Sequence, residues 1–263
     1  MRHSALILAL FTMLFALGTA CAEHELLREF HDFRYISGLP GNGFGVTPEG
    51  RAGFDGALQM NIPVAYTPCW GNWILGAWDG SLETWRPTIS TDNSRANGQA
   101  VIAGGFGPPG GGLYLANVFT SHSGDPCYNA QYQLRRDSWD RPGFAVGCLD
   151  FTNHRDSAPG VHAGARSFYA VATGRLGTES KFVYVTLGYG NGKFNDRPFG
   201  GISWPVCDKL TLFGEYDGFQ ANVGFALSPH ERLDEDTKWN MVILGGLAHM
   251  DLPNLGVCFT YNP

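Results

Sequence analysis

Two runs of period-2 alternation meet at Asp217-Gly218, and no other stretch of the chain limits its fold as tightly. Leu210, Leu212, Gly214 and Tyr216 take one side, continued after the turn by Phe219, Ala221, Val223, Phe225 and Leu227. Thr211, Glu215, Asp217, Gln220 and Asn222 take the other, and Phe213 alone breaks the order. Successive side chains of a strand point to opposite faces, so this pattern predicts a β-hairpin with one apolar and one polar face. Asp-Gly predicts a type I′ turn between the two strands. What the apolar face meets, a protein core or lipid, decides the class of protein.

The chain opens with Met1-Arg2-His3, an apolar run from Ala5 to Leu17, and small residues through Ala22. That order predicts a secretory signal peptide over residues 1–22, cleaved before Glu23, leaving 23–263 as one domain. Cys21 admits a competing assignment as a lipid-carrying cysteine, although Gly18 stands where such a site wants Leu. No apolar run after residue 22 reaches the length of a transmembrane helix, so a membrane could be crossed only by a closed barrel. The net charge of −6 and the lack of a basic run predict no nucleic-acid partner. Charged residues make up 16% of the chain, against roughly 25% in an average soluble domain. Together with 36 Gly and 13% aromatics, this favours many twisted strands.

Further strand-like segments fall at about residues 56–66, 72–82, 99–106, 113–120, 128–136, 142–151, 167–175, 182–190, 198–206, 239–248 and 254–262. With 210–216 and 219–228 they number thirteen. An antiparallel barrel with both ends on one side needs an even number, which nominates Phe30 to Ile36 as a first strand and residues 37–55 as an outer loop. The predicted fold is therefore an all-β antiparallel transmembrane barrel of 12 to 14 strands. Alternate links include the long ones at 83–98 and 152–166, while the other set is mostly short, as in bacterial outer-membrane barrels; 229–238 is an exception.

Alternation assigns Val183, Val185, Leu187, Leu210, Leu212, Val223, Phe225 and Leu227 to a lipid-facing band. It assigns Gln131, Gln133, Arg135, Arg175, Thr211, Glu215, Asp217, Gln220 and Asn222 to the lumen. Amides, guanidinium groups and carboxylates there suit sugar hydroxyls or water, or they satisfy one another as an internal plug. The expected partners are outer-membrane lipid and polysaccharide or envelope export proteins, and the expected location is the bacterial outer membrane.

Ile36-Ser37-Gly38-Leu39-Pro40 leading to Thr47-Pro48-Glu49-Gly50, Gly188-Tyr189-Gly190, Phe199-Gly200-Gly201-Ile202 and Gly214-Glu215-Tyr216-Asp217-Gly218 with Asn222-Val223-Gly224 follow one another along the chain. In these residues the chain resembles YjbH-type outer-membrane β-barrel proteins. The resemblance implies an exported barrel associated with exopolysaccharide production or export, acting as a pore, accessory or structural component, and brings no catalytic residues. The chain is shorter than many members and ends Tyr261-Asn262-Pro263, without the terminal aromatic usual in such barrels.

Other chemistries find weaker support. Gly188 to Lys193 resembles a phosphate loop, but Phe194 stands where Ser or Thr would bind magnesium, and Asn191-Gly192 fits a hairpin turn. Glu215 and Asp217 share a strand face, as the two carboxylates of a glycosidase would. Ser121-His122-Ser123 offers a nucleophile and base without a Gly-x-Ser-x-Gly elbow. No enzyme activity is expected. Cys69, Cys127, Cys148, Cys207 and Cys258 contain no CxxC spacing, so neither a metal nor a cofactor is expected. The main competing architecture is a secreted soluble β-sandwich binding glycans through Trp70, Trp73, Trp78 and Trp85.

Overall fold

The computed structural model describes residues 38–80, 99–108, 110–120, 126–152, 166–229, 238–248, 250 and 252–263. A short hairpin, β1 (Gly45–Val46) and β2 (Ala52–Gly53), precedes β3 (Trp73–Gly80), β4 (Gln99–Phe106), β5 (Gly112–Thr120), β6 (Pro126–Arg135), β7 (Gly143–Leu149) and β8 (Ser167–Thr178). β9 (Lys181–Gly190), β10 (Arg197–Cys207), β11 (Leu210–Tyr216), β12 (Ala221–Leu227), β13 (Trp239–Ala248) and β14 (Leu252–Tyr261) follow. β3 to β14 form a closed antiparallel barrel of twelve strands, each paired with its chain neighbour, and β14 returns to β3. Closure of all twelve strands into one barrel rules out the two-layer sandwich; among the described residues the other sheet is the two-residue pairing of β1 with β2. One mouth holds the start of β3 and the end of β14 and is called here the terminal mouth; the opposite one, carrying links 81–98 and 150–166, is the loop mouth.

Glycine and aromatic residues together shape the wall. Trp78 is the register partner of Gly256, Tyr169 of Gly147, Phe199 of Gly188 and Phe213 of Gly224. A Cβ built on those glycines would lie 2.0, 2.2, 2.2 and 2.4 Å from the facing aromatic side chain. Each of these four aromatics therefore occupies the space above a cross-strand glycine, which lets a large side chain follow a strongly curved wall. Part of the high Gly and aromatic content noted in the sequence serves this pairing.

The outer face carries an apolar band. Leu75, Ile102, Leu115, Val146, Leu187, Leu212 and Phe225 are exposed along the strands. Trp73, Trp204, Trp239 and Tyr132 stand exposed near the terminal mouth, and Phe119, Phe168 and Tyr189 near the loop mouth. Aliphatic side chains between two aromatic girdles are the surface that a lipid-embedded barrel presents.

Two sequence expectations are overturned here. Residues 37–55 form no outer loop, insofar as 38–55 are described, and residues 56–66 form no wall strand. Both lie inside the barrel: Leu39, Phe44, Val46, Leu58, Met60, Ile62, Val64 and Tyr66 are completely buried. The signal peptide, Phe30 to Ile36, Cys21, Trp85 and Ser121-His122-Ser123 fall outside the described residues. The turn after β11 also differs from expectation. Only Gly218 has positive φ, so glycine occupies the first central position of the turn and a type I′ geometry, which needs two positive values, is not formed. Asp217 closes it by accepting from the Phe219 and Gln220 amides, each at 3.0 Å.

Candidate functional site: the plugged lumen

Residues 38–67 cross the bore three times. The first pass begins at Gly38, beside Val101 and Val118 near the loop mouth, and descends to the Thr47–Gly50 turn beside Thr67 and Cys69 at the terminal mouth. The second climbs through β2 to Asn61, level with Asp217 and Lys193. The third descends to Thr67 and leads into β3. Its passes bond to one another only in part, Val46 with Ala57, Gly43 and Gly41 with Gln59, and Pro40 with Val64, so the wall has to supply partners for the remaining backbone groups.

It does so with side chains. Leu58 N donates to Ser203 Oγ (3.1 Å), Met60 N to Glu215 Oε2 (3.0 Å), Ala65 N to Thr173 Oγ1 (2.9 Å) and Thr67 N to Gln133 Oε1 (2.9 Å). In the other direction Gln131 Nε2 donates to Val64 O (2.9 Å), Tyr114 Oη to Gly38 O (3.1 Å) and Tyr184 Oη to Asp55 O (3.3 Å). Between these bonds the apolar plug residues pack on inward Phe199, Phe213, Tyr169 and Trp78 in a continuous core. The expected hydrophilic bore is thus corrected: the lumen is a packed interior of mixed polarity.

At the plug's upper bend a charged cluster forms. Lys193, on the turn Gly192–Phe194 between β9 and β10, donates through Nζ to Asn61 O (2.9 Å) and to Asn61 Oδ1. Asn61 Nδ2 donates to Asp217 Oδ2 (2.8 Å), and Asn222 Nδ2 bridges Glu215 Oε1 and Asp217 Oδ2, both at 3.0 Å. Burial pulls the Lys193 amine down to about 7, against the opposing attraction of Asp217 and Glu215. Gln131, Gln133, Glu215, Asp217 and Asn222 are thereby brought together around the plug. Glu215 and Asp217, the imagined glycosidase pair, are buried with their oxygens engaged by the plug, the turn and Asn222.

The remaining candidates are placed differently. Arg175 faces inward at the terminal mouth, where Nη2 lies 2.7 Å from Asp137 Oδ2 and the guanidinium stacks 4.3 Å above Trp139. Burial raises the Asp137 carboxyl and Arg175 counteracts it. Thr211 is buried with its hydroxyl unpaired, and Gln220 lies in the turn after Asp217. Arg135 does not line the bore. A bulge between Gln133 and Arg135 reverses the inside-outside order, leaving Arg135 exposed with Nε on Pro142 O at 3.1 Å. Of the band residues, Leu187, Leu212, Phe225 and Leu227 are exposed, Val185, Leu210 and Val223 are half-buried, and Val183 is covered. Trp78, offered as a sugar platform, is buried against Gly43 and Gly256. Asn61, Thr260 and Asn262 carry no functional signal in the sequence, and Lys193 enters there only as the end of the rejected phosphate-loop motif.

No family model matches the chain, and no curated protein matches it. Among solved structures it is similar to a KdgM porin in complex with disordered oligogalacturonate, at 12% identity and a TM-score of 0.44, over 73% of this chain and 98% of that one. A likeness of that size carries neither family nor activity. The closed barrel rests on the strand pairing described above.

Proposed function

We propose that the chain is an outer-membrane β-barrel that serves envelope or exopolysaccharide export as a closed accessory or structural component, not as an open pore. One observation carries this: the outer face is a girdled apolar band while the bore is filled by the chain's own residues 38–67. Kinship with YjbH-type barrels belongs to the same proposal and rests on the motif residues alone. The mouth at which β3 begins and β14 ends would face the periplasm, the usual placement of such termini.

Fractionation and conductance test it together. The protein should leave the envelope only with detergent, migrate heat-modifiably on a gel, and give no stepwise conductance in planar bilayers. Cells lacking it should release less extracellular polysaccharide. Recovery as soluble periplasmic material would remove the membrane assignment, and steady porin-like steps from the intact protein would remove the closed state.

A further inference from the structure

Eleven of the twelve wall contacts join strands that are consecutive in the chain. The β14–β3 seam is the exception, pairing Tyr261 with Trp73 and Asn254 with Gly80. Its closure brings together segments from opposite ends of the barrel sequence, with no hairpin to hold them near one another. The plug's lower turn lies against this seam and bonds to both sides of it.

On the β3 side, the Gly50 carbonyl accepts from Cys69 N at 2.8 Å and from Asn72 Nδ2 at 2.6 Å. On the β14 side, the Asn262 carboxamide reads the Ala52 peptide from both ends: Ala52 N donates to Oδ1 at 2.9 Å, and Nδ2 donates to Ala52 O at 2.8 Å. Thr260 Oγ1 donates to the same carbonyl at 2.9 Å. Asn72, Thr260 and Asn262 are all buried. The turn is itself well defined, since Gly50 N donates to Thr47 O at 2.9 Å and Gly50 holds φ +83°. A Cβ there would approach Cys69 N at 3.0 Å and Thr67 O at 3.1 Å, so the close approach to the start of β3 depends on glycine.

We propose that residues 50–52 are a clasp across the seam, making closure of the barrel conditional on the plug being seated. The plug is then more than filler. Two carbonyls two residues apart take bonds, one from the segment that leads directly into β3 and the other from the end of β14, so a seated plug holds the first and last wall strands in register at the terminal mouth and opposes lateral opening there. This inference stands on the barrel geometry and does not depend on the proposed role in export.

The test is rescue by a crosslink placed across the seam, outside the clasp. Ala77 and Val257 are register partners on the outer face, and Ala77→Cys with Val257→Cys, in a Cys207→Ser background, can form a disulfide there under oxidation. Folded fraction against temperature is read by heat-modified gel migration in detergent, oxidised and reduced. Asn262→Ala is expected to lower the midpoint by roughly 4 to 10 °C, and the oxidised crosslink to restore most of that. Ser203→Ala strips a plug amide of its partner away from the seam and should gain no such restoration. Equal rescue of both variants, or no shift in Asn262→Ala, overturns the clasp. Should Asn262→Ala fail to fold when reduced, Asn72→Ala, just before β3 on the other side of the seam, gives the same comparison.

Discussion

Lys193 reaches Asn61 through two bonds from one amine, at the main-chain carbonyl 2.9 Å away and at the side-chain oxygen, and Asn61 passes a bond on to Asp217 at 2.8 Å. A lysine on a link between two wall strands thereby holds the bend of the plug against a carboxylate on another link. The whole relay is buried. Its behaviour with pH follows from the amine. The folded value of about 7 lies below the ordinary 10.5, so between those limits the unfolded chain keeps a proton that the folded chain has released. As far as this group is concerned, stability rises with pH through that window and is lowest below about pH 7, where folding buries an ammonium. Urea unfolding in detergent at pH 7, 8.5 and 10 should show that rise in the native protein, and Lys193→Met should lose it. Parallel pH dependence in the two proteins would refute the assignment.

The pairing of inward aromatics with cross-strand glycines predicts a specific non-additivity. At Gly147 the three nearest atoms to an added Cβ all belong to the Tyr169 side chain, the first at 2.2 Å. Gly147→Ala should cost about 1 to 3 kcal/mol through overpacking. Tyr169→Leu also destabilises, since it gives up the bond to Gln131 Oε1 at 2.8 Å. The double variant should be no less stable than Tyr169→Leu alone, because the clash has gone. Additive losses in a double-mutant cycle would show that the glycine is needed for another reason.

Twelve wall strands were legible because each meets two different environments, which writes period-2 alternation into the sequence at Tyr128 to Leu134 or Leu210 to Leu227. The plug was misassigned for the same reason. Leu58, Met60, Ile62 and Val64 alternate with Gln59 and Asn61 just as a wall strand would. Alternation reports an extended chain and says nothing of its partners, and here these are wall side chains such as Ser203, Glu215 and Thr173 together with the plug's own first pass. Arg135 was misplaced because one bulge inverts the order of faces, a change invisible in a residue count. Asn262 and Thr260 have the inward phase of β14, yet their partner Ala52 lies some two hundred residues away, and no local pattern marks it.

If the plug is an integral core, truncating it should cost as much as truncating any protein core. Phe44 is completely buried. Phe44→Ala should therefore lower unfolding stability by about 3 to 5 kcal/mol, read from the urea midpoint in detergent with an unchanged slope. A plug that merely rests in a wet channel would predict a loss of under 1 kcal/mol, since water could refill the space.

The outer band makes the opposite prediction, one that depends on lipid. Leu115 is exposed at mid-strand on β5, whereas Trp239 is exposed at the first residue of β13, at the terminal mouth. In a bilayer a charge at the first position meets hydrocarbon and at the second meets the interface. Leu115→Arg should cost about 2 to 4 kcal/mol and Trp239→Arg about 0 to 1 kcal/mol from the charge alone. In water neither exposed position would penalise arginine. Folding titrations into phosphatidylcholine vesicles measure both variants against the native chain. A penalty at Leu115 that matches the one at Trp239 would mean that the apolar band does not lie in a membrane, and the placement of the barrel would then have to be sought elsewhere.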